Sequence, residues 1–164
     1  MLTAIKHKDT INIVDQGNIH LGSLVETKKE WAQVEIKLAD QQYLLHRKGN
    51  TIKVLNKSKN VVQELKRNPW WGGISYSNEK KAIKGVLGYK WATQLVDHNE
   101  TLAVKIKNES QWNADKILIE RSDPQTSDID VALTLYGHLV GSKNKASLVL
   151  ILGISFGLLV ANFL

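Results

Sequence analysis

Between residues 10 and 123 the chain alternates apolar and polar residues in short runs, separated by clusters of Gly, Asn, Asp and Lys. "TINIVD" turns through "QGN" into "IHLGSLV"; "WAQVEIKLAD" sets Val34, Ile36 and Leu38 against Glu35 and Lys37. "QQYLLHRKG", "NTIKVLN", "NVVQELKR", "ISYSN", "KAIKGVLGY", "WATQLVD", "TLAVKIKN" and "DKILIERSD" continue the pattern. Alternation with period two places one face of each run in a core and the other in water, which predicts about eleven antiparallel strands joined by hairpins. No segment of this region sustains a 3.6-residue period.

Trp31, Trp71, Trp91 and Trp112 each stand at the head of one of these runs, 40, 20 and 21 residues apart. That spacing suggests a repeating hairpin of about 20 residues, and hence a meander. The edges of a long meander are unpaired, and closing it into a barrel removes them. Large apolar side chains with one donor also suit a core or its rim without any further role.

After "RSDPQTSD" the pattern changes. "DIDVALTLYGHLVGS" predicts a helix over 128–141, capped by Ser127 or Asp128 and stopped at Gly141. Ile129, Val131, Ala132, Leu133, Leu135, Tyr136, Leu139 and Val140 fall nearly all round it, so it should be buried on most faces. Asp130, Tyr136 and His138 then need protein partners. Residues 146–164 carry no charge and only Ser147, Ser155 and Asn162 as polar side chains. Nineteen such residues approach the ~20 that cross a bilayer core of about 30 Å. Lys143 and Lys145 flank them, as cytoplasmic positive charge does.

The order of elements, many antiparallel strands and then an apolar helix, resembles the tubby C-terminal-like superfamily, which includes the LURP-one-related proteins and the phospholipid scramblases. "INIVDQGNIHLGSLV", with Asp15, Gly17 and Asn18 at its turn, looks like that family's strand–turn–strand unit, and "DIDVALTLYGHLV" like its closing segment. The resemblance covers roughly residues 9 to 141. It implies a closed antiparallel β-barrel of about 11–12 strands around a central hydrophobic helix. The expected organisation is therefore a barrel over 1–141 with its helix at 128–141, a basic joint at 142–145, and a transmembrane tail anchor at 146–164. The alternative, in which 146–164 fills the barrel and nothing spans a membrane, stays open at this point.

Charge adds a direction. Lys and Arg number 22 against 16 Asp and Glu, a net charge of +6, and all of it precedes Ala146. Such a surface favours anionic partners or simply solubility. The basic pairs Lys28–Lys29, Arg47–Lys48, Lys66–Arg67 and Lys80–Lys81 are candidate contacts for phospholipid head groups, although lysines at hairpin ends also occur as plain solvated residues. In the apolar tail Gly153 and Gly157, extended by Ala161, have the spacing of close helix packing, with a membrane partner or a second copy.

The chain has no cysteine, so disulfides and thiolate chemistry are excluded. No nucleophile elbow, Walker motif, dinucleotide fingerprint or zinc-protease motif occurs, and the five histidines are not spaced as a metal pair. No cofactor, metal or catalytic residue is expected, and the dispersed basic residues give no nucleic-acid footprint. "MLTAIKHKDTINIV" lacks the apolar stretch of a secretory signal, which leaves the polar domain in the cytoplasm. The sequence thus points to a membrane-anchored, non-enzymatic binding module for anionic phospholipids. An adaptor subunit of a membrane complex is the alternative, and lipid scrambling a weaker one.

Overall fold

The structure is a computed structural model and describes residues 1–68, 73–86, 92–110 and 115–141. Twelve strands follow in chain order: β1 Leu2–His7, β2 Thr10–Val14, β3 His20–Lys28, β4 Gln33–Leu38, β5 Gln41–Lys48, β6 Thr51–Asn56, β7 Val61–Arg67, β8 Ile74–Tyr76, β9 Lys81–Val86, β10 Ala92–Asp97, β11 Leu102–Asn108 and β12 Lys116–Arg121. Each pairs antiparallel with its sequence neighbours, and β1 pairs with β12, so the sheet closes into a barrel. Closure leaves no edge strand to template further pairing.

Register sets apolar residues against one another around the barrel. Ala4 faces Ile13 and Ile117, Leu45 faces Val34 and Val54, Leu65 faces Ile52 and Tyr76, and Ile83 faces Ile74 and Leu95. All of these residues are buried and belong to one hydrophobic cluster. Cross-strand pairs of this kind are the unit of sheet stability, and a one-residue slip would turn every one of them to solvent.

Strand β1 is absent from the sequence-based expectation, yet it is the strand that closes the barrel. Trp31 also differs: it lies two residues before β4, in a 3₁₀ turn, Lys29–Trp31, and is buried. Trp71, Trp91 and Trp112 lie outside the described residues, and so do the 142–145 joint and the 146–164 segment with Lys143, Lys145, Gly153, Gly157 and Ala161. Among the described residues no helix is long and apolar enough to cross a membrane.

A second regularity is clearer than the tryptophan spacing. Asp15, Asn56 and Asp97 recur at intervals of 41 residues, each at the head of a turn. In each turn the side-chain Oδ1 accepts the backbone N–H four residues on, at 2.8–3.0 Å. In each the residue three positions on, Asn18, Lys59 or Glu100, has φ near 60°. Each also follows a register shift in its hairpin, at Ile13/Val14, Val54/Leu55 and Leu95/Val96. A side-chain acceptor stabilises the turn, and the extra residue of the bulge increases local twist. Three equivalent corners therefore divide the twelve strands into groups of four.

One helix among the described residues, 128–141 (α1), packs on the barrel. The Asp130 N–H donates to Ser127 Oγ at 3.3 Å, so Ser127 is its N-cap. Residues 130 to 140 are all buried, which leaves this stretch no solvent-facing side. Near its start Asp130 meets Tyr76 and Lys81, at the β8–β9 turn; near its end His138 meets Thr93 and Asn108, which lie towards the other end of the strands. Contact is close at Gly137, where an added Cβ would stand 2.9 Å from Ile83 Cγ2 and 3.5 Å from Ile74 Cδ1. Gly137→Val is expected to overpack this contact and to lower unfolding stability by about 1–3 kcal/mol in urea denaturation. Unchanged stability would mean that the helix does not seat here.

Candidate functional site

Strands of an up-and-down barrel alternate in direction, so alternate turns share an end. The β1–β2, β3–β4, β5–β6 and β7–β8 connections lie at one end, and the turns headed by Asp15, Asn56 and Asp97 lie at the other. Lys28, Lys29, Arg47, Lys48, Lys66 and Arg67 all stand at the first end. Lys80 and Lys81 stand at the opposite one, at the start of β9. Helix α1 begins beside Lys81 and runs to the first end, so Gly141 lies on the basic side.

Side-chain direction divides the basic group. Lys28, Lys29, Lys48 and Lys66 are exposed, whereas Arg47 and Arg67 are partly buried and share the inward phase of Leu45 and Leu65. Both guanidinium groups lie close enough to Tyr136 of α1 to act on its charge. Burial pushes the Tyr136 hydroxyl up to about 12, and Arg47 and Arg67 oppose that rise. The phenol therefore stays a neutral donor, and its O–H donates to the Trp31 carbonyl at 3.2 Å. The Arg47 guanidinium donates to the Glu30 carbonyl at 2.9 Å, which ties β5 to the 3₁₀ turn that bears Lys29. In that turn Glu30 and Trp31 have φ of 61° and 56°. Such conformations cost energy for residues with a Cβ, and the Trp31 N–H donating to Glu26 Oε1 at 2.7 Å helps hold them.

Acidic groups share this end, namely Asp9, Glu26, Glu30, Glu109 and Asp115, of which Glu26 accepts from Trp31 and Glu109 pairs with Lys116 at 2.6 Å. The opposite end has another character. Asp15, Asp40, Glu79, Asp97, Asp123 and Asp128 all stand there, on turns or beside the start of α1. Asp97 is held below the usual carboxylate range, first by the backbone N–H of Thr101 and then by that of Asn99, although desolvation opposes the change. The barrel is thus electrically polar along its axis, a property that biases the approach of charged partners.

Lys81 has a structural partner. Its ammonium bridges Glu79 Oε2 at 2.7 Å and Asp130 Oδ2 at 3.0 Å. Asp130 is 5% exposed, and its other oxygen accepts the Tyr76 O–H at 2.9 Å. A buried carboxylate with two donors is a satisfied group. Burial raises the Tyr76 hydroxyl far above its ordinary range, with the charge of Asp130 adding to the effect, so Tyr76 is a donor at every accessible pH. Sequence reasoning marked Asp130 only as a polar residue in need of a partner, because Tyr76 and Lys81 are 54 and 49 residues away.

His138, also buried, bridges Thr93 Oγ1 at Nδ1 and Asn108 Oδ1 at Nε2, at 3.0 and 2.9 Å. Because the Asn108 oxygen can only accept, Nε2 carries the proton and Nδ1 can accept from Thr93. Among the described residues no three His, Asp or Glu side chains come together as a metal-ligand set. Comparison with family models, with curated proteins and with solved structures gives no match to this chain.

Proposed function

We propose that the protein is a non-catalytic binding module whose basic barrel end lies against an anionic phospholipid surface. Helix α1 acts as the barrel's central core, and residues 146–164 cross the bilayer as a single span with the barrel on the cytoplasmic side. One observation carries the reading: Lys28, Lys29, Lys48 and Lys66 are exposed at the same end of the barrel as Gly141, from which the chain continues into its uncharged segment. Lysines held near an anionic surface each add about 1 kcal/mol of attraction, screened over a Debye length of about 8–10 Å. An apolar span leaving the same end would hold them within that distance. The burial of residues 130–140 supports the division of labour between the two apolar segments, since α1 has no exposed apolar face to give to a membrane. Membership of the tubby C-terminal-like superfamily belongs to this proposal and rests on the order of elements and the Asp15–Asn18 turn.

Fractionation tests the anchor. The full chain is expected to stay in the membrane pellet after carbonate at high pH, and a chain ending at residue 145 to be soluble, folded and β-rich. If the shorter chain unfolds or aggregates, residues 146–164 fill the barrel and the assignment of the two segments is reversed. A second reading, an adaptor subunit whose tail packs in a membrane complex, is favoured by the Gly153/Gly157 spacing with Ala161. Under it, changing both glycines to Ile abolishes co-purification of a membrane partner. Under a purely tethering tail, that change has no effect.

A further inference from the structure

The turn between β3 and β4 carries backbone strain twice over. Seven described residues other than glycine have positive φ, but only Glu30 and Trp31 stand in succession, at 61° and 56°. Glycine or asparagine would adopt that conformation at less cost. Three side chains from three elements hold the turn in it. Glu26 of β3 accepts the Trp31 N–H at 2.7 Å, Arg47 of β5 donates to the Glu30 carbonyl at 2.9 Å, and Tyr136 of α1 donates to the Trp31 carbonyl at 3.2 Å. Strain that the surroundings hold so firmly concentrates at functional sites.

What the turn holds in place is a pattern of charge. Lys28, Lys29 and Glu30 are consecutive and exposed, at the basic end of the barrel. Among the described residues none of the three takes part in an ion pair. A fixed carboxylate therefore stands beside two lysines without closing on either. For a surface that only attracts anions this carboxylate is a defect, because it weakens the positive field. It becomes useful where the anion carries a cation of its own.

We infer that the Lys28–Glu30 turn selects phospholipid head groups that carry an ammonium beside their anionic groups, phosphatidylserine being the simplest with a net negative charge. The inference rests on the membrane reading above. The two lysines meet the phosphate and carboxylate, and Glu30 accepts from the ammonium. Glu26, Arg47 and Tyr136 are positioning residues, which fix the turn so that Glu30 faces the head group and not its own lysines. Phosphatidylglycerol has the same net charge but only hydroxyl groups, so it satisfies the lysines and leaves Glu30 without a cation. Charge alone predicts the opposite effect of one substitution: Glu30→Gln removes a negative charge and strengthens docking on every anionic surface. On this inference it strengthens docking on phosphatidylglycerol and erases the preference for phosphatidylserine.

The full chain reconstituted into phosphatidylcholine vesicles, with rising fractions of phosphatidylserine or phosphatidylglycerol, tests it. Protection of Lys48 and Lys66 from a water-soluble acylating reagent reports docking, since both lie at the same end but outside the turn. Wild type is expected to reach half-protection at a phosphatidylserine fraction about two- to fivefold below that for phosphatidylglycerol, the scale of one exposed ion pair. Glu30→Gln should erase the difference. Tyr136→Phe, which frees the Trp31 carbonyl without changing charge, should narrow it, and Lys57→Gln at the other end should leave it as it is. Equal half-protection by the two lipids in wild type, or an undiminished preference in Glu30→Gln, overturns the inference and leaves the membrane reading standing. An undiminished preference in Tyr136→Phe overturns the positioning role. No protection by either lipid overturns the inference and the membrane reading together. Protection by soluble phosphoserine over vesicles of phosphatidylcholine alone overturns the assignment to a lipid.

Discussion

Asp130→Ala is expected to lower the unfolding stability of the barrel by about 2–3 kcal/mol. The change leaves the buried Tyr76 hydroxyl without its acceptor, and an unsatisfied buried polar group costs about 1–3 kcal/mol. It also removes one of the two partners of Lys81, which is partly exposed and retains Glu79, so that loss is small. The double variant Tyr76→Phe/Asp130→Ala should be less destabilised than the sum of the single changes, because the orphaned hydroxyl is gone. For Lys81, desolvation lowers the pKa, but Glu79 and Asp130 outweigh it and raise the group above its ordinary 10.5. A raised cation contributes stability that is fully present below that ordinary value and is lost as pH rises through the folded value. The difference between wild type and Asp130→Ala should accordingly be constant around neutrality and shrink above about pH 10.5. Urea denaturation across pH measures it; a shift below 0.5 kcal/mol, by about the limit of surface substitutions, would show that the pair is not formed.

Replacing Lys28, Lys29, Lys48 and Lys66 together by Gln is expected to reduce affinity for anionic vesicles on the order of a hundredfold or more. The figure follows from about 1 kcal/mol for each lysine near the surface and a factor of ten for every 1.4 kcal/mol. Arg47 and Arg67 are left in place because they face Tyr136 and, for Arg47, hold the Glu30 carbonyl. The matching change at the acidic end, Lys57, Lys59 and Lys80 to Gln, should alter affinity less than threefold. Equal losses from the two ends would show that net charge rather than the basic end governs binding. Surface lysines contribute little to fold stability, so both variants should melt like wild type.

Much of the barrel is legible in the alternation of short runs, because a half-buried strand needs apolar residues at every second position. Strand β1 escapes that reading for a physical reason. Its one fully buried residue is Ala4, small because Ile13 and Ile117 face it from both sides, and the strand ends in Lys6 and His7. Helix α1 is legible from its start at Asp128, since apolar residues on all sides leave only burial. The basic end carries a signal that the pair-by-pair reading missed. Lys28, Arg47 and Lys66 recur every 19 residues, two strands with their turns, and an even number of strands returns the chain to the same end. Lys80 breaks the phase. By contrast, nothing local could join Asp130 to Tyr76 and Lys81, because that cluster exists only once the helix lies against β8 and β9. The 41-residue interval of Asp15, Asn56 and Asp97 is present in the sequence, but Asp and Asn are common at every hairpin turn, so the interval does not stand out beside the tryptophan spacing.

The central claim is that the barrel, apart from its apolar tail, recognises an anionic surface. Flotation of residues 1–141 with liposomes tests this most directly, since that piece contains all twelve strands found among the described residues and the buried helix. The account predicts that it floats with vesicles rich in anionic phospholipid at low ionic strength, is released as salt shortens the Debye length to about 3 Å at 1 M, and stays at the bottom with neutral vesicles. Equal flotation with neutral and anionic vesicles, or none with either, would contradict it.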